Sequence, residues 1–445
     1  MTRLYDFLLK NGTVVNHDGI RHADVGVAGG RIAAVGRLDP AQAGEVIDCT
    51  GLHILPGVID TQVHFREPGM EHKEDLASGS LAAVKGGVTA VFEMPNTRPA
   101  TTTAEALEDK LARAKGRMWC DHAFYAGGTA ENARELGELE QLPGCAGVKV
   151  FMGSSTGTLL VPDDAGVRAV LSAIRRRAAF HSEDEFRLRE RRALAEMGKV
   201  HTHPVWRDVV SAVQCTERLL ALARETGSLI HVLHISTVEE MGVLAAHRDI
   251  ASVEVTPQHL TLSAPECYDE LGTFAQMNPP LREARHAKGL WAGLATGVVD
   301  VLGSDHAPHS REEKEDPYPK SPSGMPGVQT LVPVMLDHVA KGRLSLERFV
   351  DLTSHGPQRV FGLAGKGRMM AGYDADLTVV DLKKKRTVSE DWLAYKCGWS
   401  PFTGQELRGW PVGTIIRGRR VMWEDEVLDD PAGEPVRFHS TLKMA

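Results

Sequence analysis

Between residues 54 and 365 the chain repeats one pattern: a short apolar run, a polar loop, then an amphipathic helix. The patterning predicts strands at 88–94, 121–125, 147–152, 229–235, 251–255 and 298–303, and helices at 73–85, 104–115, 167–177, 209–226 and 288–297. Parallel neighbours cannot be joined by a tight turn, and a helix is the usual crossover between them. Enough such units close on themselves. The expected fold class is therefore α/β, with a (β/α)8 TIM-type barrel at its centre.

The flanks read differently. Residues 4–53 are short strands with turn signals, including Ala28-Gly29-Gly30-Arg31 between two β-compatible runs, and no helical period appears. A helix is expected at 346–361, and strands resume at 375–381 and 413–423 around Gly418. The expected organisation is a small β-sandwich built from both chain ends, with 1–53 as its first part and 366–430 as its second. The barrel would span 54–365, and 431–445 would be an extended tail.

Composition narrows the class of partner. The apolar fraction is 42% and the charged fraction 25%, which suits a globular protein with a large core. Lys and Arg number 51 against 59 Asp and Glu, a net charge of −8 with no long basic block, so neither nucleic acid nor a membrane surface is expected as a partner. Six scattered cysteines form no C-x-x-C pair and read as buried thiols of a reducing compartment. No apolar run reaches a membrane span and no signal peptide opens the chain, so a cytoplasmic location is the default expectation.

The chemistry-bearing residues gather at the C-terminal ends of the predicted strands, where barrels of this type carry their sites. Gln62, His64 and Arg66 share one parity of an extended segment before Pro68-Gly69 breaks it. Glu93 and Asn96 end the next strand, and Lys149 lies inside an apolar one, where an unpaired ammonium is costly. His181, His234 and His259 follow apolar runs, as do Asp305 and His309 in Ser304-Asp305-His306-Ala307-Pro308-His309. Each has an ordinary explanation alone: a bonded core histidine, a snorkelling lysine, a helix N-cap. Their recurrence at equivalent places points to one shared site. Nitrogen and oxygen donors without cysteine suit zinc, with manganese or iron as alternatives.

The order Pro56-Gly57-x-Ile59-Asp60 with His64, a strand lysine, His181-Ser182-Glu183, His234-x-Ser236-Thr237 and Ser304 to His309 resembles the metal-dependent amidohydrolase superfamily of cyclic amidases. His64-Phe65-Arg66-Glu67-Pro68-Gly69, Met94-Pro95-Asn96-Thr97, Met277-Asn278-Pro279-Pro280-Leu281-Arg282 and Asp305 to His309 resemble the dihydroorotase family in particular, and the resemblance covers 4–425. It implies zinc-dependent, reversible hydrolysis of dihydroorotate to N-carbamoyl-aspartate in pyrimidine biosynthesis. It also implies a carbamylated Lys149 bridging two metals, one held by His181 and His234, the other by His64 and Asp305. Asp305 would also move the proton. Arg66, Asn96 and His309 would bind the substrate carboxylate, with Asn278 against the ring. A homodimer or homotetramer is implied, and aspartate transcarbamoylase is a possible partner.

One position departs from the family pattern. The first histidine of His-x-His is Gln62, and an amide oxygen is a weaker zinc ligand than imidazole. One or two zinc ions are therefore expected, the second weakly held. Smaller departures are Ser323 in Ser321 to Gly327, and Ser354-His355-Gly356 in place of an Asn-Pro pair. Two alternatives stay open: an allantoinase- or hydantoinase-like enzyme for another cyclic ureide, and a silent homologue serving as a structural partner.

Overall fold

The computed structural model describes residues 3–155 and 159–442. The barrel strands, numbered here in chain order, are β1 (Val58–Val63), β2 (Val88–Glu93), β3 (Asp121–Gly127), β4 (Cys145–Phe151), β5 (Ala178–His181), β6 (Ile230–Val232), β7 (Ala251–Val255) and β8 (Val301–Leu302). Each pairs in parallel with its neighbour in sequence, so the ladder runs in order from β1 to β8. The circle is completed between its ends by a parallel bridge from Val63 to His306, with the His64 N–H donating to the His306 carbonyl at 2.7 Å. Every residue of these strands is buried, because helices cover the outside and side chains fill the inside.

Local chemistry sets where the helices start. Asp75 caps Leu76–Lys85 in a reciprocal box with Ser78, and Asp208 caps Val209–Thr226, which ends at Gly227 with φ of 70°. The expected single helix over 346–361 is interrupted. It runs as α-helix Leu346–Val350, a π-helical turn Asp351–His355, and α-helix Gly356–Phe361. Pro357 lacks the N–H a continuous helix would use, and the Gly356 backbone presses so close to the Asp300 carbonyl that a Cβ there would lie 2.2 Å from it.

Two sheets flank the barrel. One has four strands, Arg31–Gly36, Asp24–Ala28, Tyr5–Lys10 and Ala43–Asp48 in that order. The other has seven and draws on both chain ends: His53–Pro56 pairs antiparallel with Leu377–Thr387, which also pairs with Glu406–Ile416. Phe7, Leu9, Val25, Val27, Ile54, Leu377, Val379 and Ile415 form their shared core.

The last described residues dock across the N-terminal end of the barrel. His122 donates its N–H to the Glu434 carbonyl at 3.0 Å, and Val436 donates back to His122 at 2.8 Å. Phe438 is fully buried against Phe92, with its other face covered by the Arg176 guanidinium. One end of the barrel is thus stoppered by apolar residues, and the chemistry is left to the other. Among the described residues, no helix is long and apolar enough to cross a membrane.

Candidate active site

A cavity opens at the C-terminal ends of the barrel strands. Its walls include Gln62, His64, Arg66, Asn96, Lys149, His181, His234, Asn278 and Asp305, joined by Phe151, Ser323 and Gly324. His309 is fully buried just behind this wall, with its Nε2 3.3 Å from Arg66 Nη2 and 3.1 Å from the Ser323 carbonyl. His259 is not part of the lining. Its two ring nitrogens reach Thr256 Oγ1 at 2.9 Å and the Pro279 carbonyl at 3.1 Å, so it serves to hold the loop that carries Asn278.

The backbone is bent to bring these groups together. Arg66, His234 and Asp305 have φ of 63°, 37° and 44°, a region L-residues occupy at a cost. Each immediately follows or closely trails a barrel strand, and the bend turns its side chain away from the strand direction. Gly324 makes the loop over the site possible: with φ of +143°, a Cβ there would lie 2.4 Å from the Ala307 carbonyl and 3.0 Å from the His309 ring.

On one side of the cavity, His181 and His234 face each other with Nδ1 and Nε2 3.0 Å apart. His181 Nε2 lies 3.0 Å from Glu183 Oε2, which fixes that nitrogen as the protonated one and turns the Nδ1 lone pair towards His234. Glu183 is held in turn by the buried Arg207 guanidinium. Burial pushes His181 and His234 below the ordinary imidazole value, so both are neutral, as ligands must be. His234 Nδ1 and Lys149 Nζ are buried with no hydrogen-bond partner.

On the other side, His64 Nδ1 lies 2.8 Å from Asn96 Oδ1 and so donates to it, which leaves the Nε2 lone pair 3.2 Å from Asp305 Oδ1. Burial lowers His64 to about 4, so no ring proton bridges that gap at neutral pH. Two electron-rich atoms directed at each other in a dry site leave a place for a cation. Gln62 takes up part of it: its Nε2 donates to the same Asp305 Oδ1 at 3.0 Å, while its Oε1 is a buried acceptor with no partner.

Lys149 lies between the two sides electrostatically, its charge lowering His64, His181 and His234 alike. Burial itself pulls the Lys149 ammonium down to about 7. Among the described residues no three His, Cys, Asp or Glu side chains converge at metal-binding distance. The residues could hold a metal: the His181 Nδ1 lone pair meets His234 Nε2 on one side, the His64 Nε2 lone pair meets Asp305 Oδ1 on the other, and Lys149 Nζ, over the Phe151 ring, has no hydrogen-bond partner.

Arg66 is the cationic group of the wall besides Lys149. It is 1% exposed; Nε donates to the Pro308 carbonyl at 3.1 Å, and Nη1 has no partner. Burial lowers it to about 10, so it stays cationic at neutral pH. Asn278 Oδ1 accepts from His203 Nε2 at 3.1 Å. Sequence reasoning missed Glu183 and Arg207 as the support of His181, and Lys73 and Glu313 around His309. Glu183 carried a signal, two residues after His181 in the same motif.

Fold and site define a class: a hydrolase barrel with nitrogen and oxygen donors at its strand ends, beside a β-sandwich. The chain belongs to the amidohydrolase family, whose sequence pattern matches residues 53–421. It is similar to a dihydroorotase from Methanosarcina mazei, 37% identical over 459 residues that cover 99% of each chain. It is also similar to an allantoinase from Rubrobacter xylanophilus, 37% identical over 97% of this chain and 98% of the other. Among solved structures, L-hydantoinase from Arthrobacter aurescens superposes with a TM-score of 0.92 at 30% identity, over 97% of this chain and 100% of that one.

Proposed function

We propose that this protein is a dihydroorotase, hydrolysing the ring amide of dihydroorotate to N-carbamoyl-aspartate in pyrimidine biosynthesis, and making it in reverse. Percentage identity to the two relatives named above does not by itself separate this reading from an allantoinase. The observation that carries it is Arg66: a buried guanidinium in the cavity wall with an unpartnered Nη1. A buried cation with a spare donor calls for an anion, and a planar guanidinium reads a carboxylate in two-point fashion. Dihydroorotate carries that carboxylate on its ring, whereas allantoin and unsubstituted hydantoin carry none.

The residues present suit zinc, with His181 and His234 as the strong pair, Lys149 as a carbamate, and His64 with Asp305 on the weaker side. A lysine held near 7 has a large neutral fraction at physiological pH, and the neutral amine is the form that adds carbon dioxide. When bound, zinc supplies Lewis acidity, polarising the scissile carbonyl and acidifying water. Asp305 accepts the proton of the attacking water and returns it to the departing amide nitrogen, a base in one step and an acid in the next. Both of its contacts from Gln62 and His64 fall on Oδ1, so Oδ2 is the oxygen that carries the proton. Arg66, Asn96 and His309 fix the carboxylate and Asn278 the ring, so that attack proceeds from a held geometry.

A substrate panel tests the reading. Dihydroorotate should be hydrolysed at least about a hundredfold more efficiently than allantoin or hydantoin, the scale of one buried charge pair. Preference for an uncharged ureide would replace this reading with the allantoinase one.

A further inference from the structure

We propose that Lys73 is a positioning residue of the carboxylate subsite: its ammonium occupies Nδ1 of His309 and so fixes the ring proton on Nε2, beside Arg66. The inference rests on reading Arg66 and His309 as binders of a substrate carboxylate.

The ring has three polar neighbours of known character. Lys73 Nζ lies 3.0 Å from His309 Nδ1, and 2.8 Å from Glu313 Oε1. An ammonium has donors and no lone pair, so Nδ1 must accept. On the other edge, Nε2 lies 3.1 Å from the Ser323 carbonyl, which has lone pairs and no proton, so Nε2 must donate. Arg66 Nη2, 3.3 Å from the same Nε2, is also a donor. In this tautomer the histidine gives its one N–H to the Ser323 carbonyl beside the arginine N–H, so a carboxylate oxygen placed there meets two donors and shares the histidine one with Ser323.

The Ser323 carbonyl is itself held in place. Lys314 is fully buried and donates to the carbonyls of Gln276, Pro322 and Gly324 at 3.1, 2.9 and 3.0 Å, gathering the loop that covers the ring. The neighbours that act on the ring's charge are Arg66, Lys73 and Lys314, which oppose its protonation, and Glu313, which favours it; burial outweighs all four and keeps the ring neutral. A neutral ring has one proton, and its location is the open choice. Without Lys73 the nearest group to Nδ1 is the Glu313 carboxylate, with Oε2 3.7 Å away. That carboxylate would draw the proton to Nδ1 and turn an Nε2 lone pair towards the substrate's negative charge. Lys73 stands between them and prevents it.

The test reads the tautomer directly, in metal-replete protein labelled with 15N-histidine, with the His309 signals identified by their loss in His309→Asn. Wild type should carry the proton on Nε2 and none on Nδ1 between pH 6 and 8. Lys73→Met should move it to Nδ1 and raise KM for dihydroorotate about tenfold while kcat stays within about threefold, the scale of one charge-assisted hydrogen bond. Lys73→Arg, which keeps a cationic donor, should restore both. A proton on Nδ1 in wild type, or an unchanged tautomer and KM in Lys73→Met, would overturn the proposal. Because wild type decides the tautomer, a variant that fails to fold leaves the proposal decidable. If wild type does not hydrolyse dihydroorotate, the functional reading fails while the tautomer still reports on Lys73.

Discussion

The two sides of the donor set are built to different standards. On the His181/His234 side a buried carboxylate, itself held by Arg207, fixes the His181 tautomer and turns its Nδ1 towards His234 Nε2, while His234 Nδ1 has no partner. On the His64/Asp305 side the third position is an amide, and its N–H is already given to the Asp305 carboxylate. That N–H partly satisfies the carboxylate charge a metal would otherwise balance, and it holds Asp305 in position. Under the proposed function the contrast predicts one tightly held ion and one weakly held.

Substitutions can break or sharpen that contrast. Asp305→Ala should have the largest effect, lowering kcat about a thousandfold or more, since it removes the proton carrier and a donor together; steady-state turnover with the metal content matched to wild type checks it. Arg66→Met should raise KM for dihydroorotate about a hundredfold and leave a neutral ureide unaffected, and Arg66→Lys should not rescue it, because an ammonium lacks the planar fork. Glu183→Gln should weaken metal affinity about tenfold to a hundredfold on the well-built side, read by competition with a chelator. It also leaves Arg207 buried without its charge partner, at a cost of about 3–5 kcal/mol in unfolding free energy by denaturant titration. Gln62→His should have the smallest effect on turnover yet raise tightly bound metal from about one ion per chain towards two, counted by elemental analysis. A stoichiometry of two in wild type would remove the asymmetry.

The barrel was legible because its periodicities are strong: Val209–Thr226 and Ala251–Val255 begin and end where patterning places them. The site was legible as histidines and acids recurring after apolar runs, since burial makes such residues expensive without a purpose. Supports reached across the fold were not. Lys73 meets His309 across 236 positions and Arg207 meets Glu183 across 24, and no local rule links such pairs. The left-handed backbone at His234 and Asp305 was also hidden, because neither sits in a sequence that demands it; the surrounding structure imposes it. The break at Asp351–His355 is mixed: Pro357 marks it in the sequence, while the close approach of Gly356 to the Asp300 carbonyl does not show there.

The central claim is that a buried arginine selects a carboxylate-bearing ring beside a metal centre that is strong on one side. Hydrolysis of dihydroorotate, allantoin and hydantoin by one preparation, with tightly bound metal counted in the same sample, tests it most directly. The account predicts about one tightly bound zinc per chain and a preference for dihydroorotate of at least about a hundredfold. Bound metal with allantoin or hydantoin preferred, or with no turnover of any of the three, would contradict it.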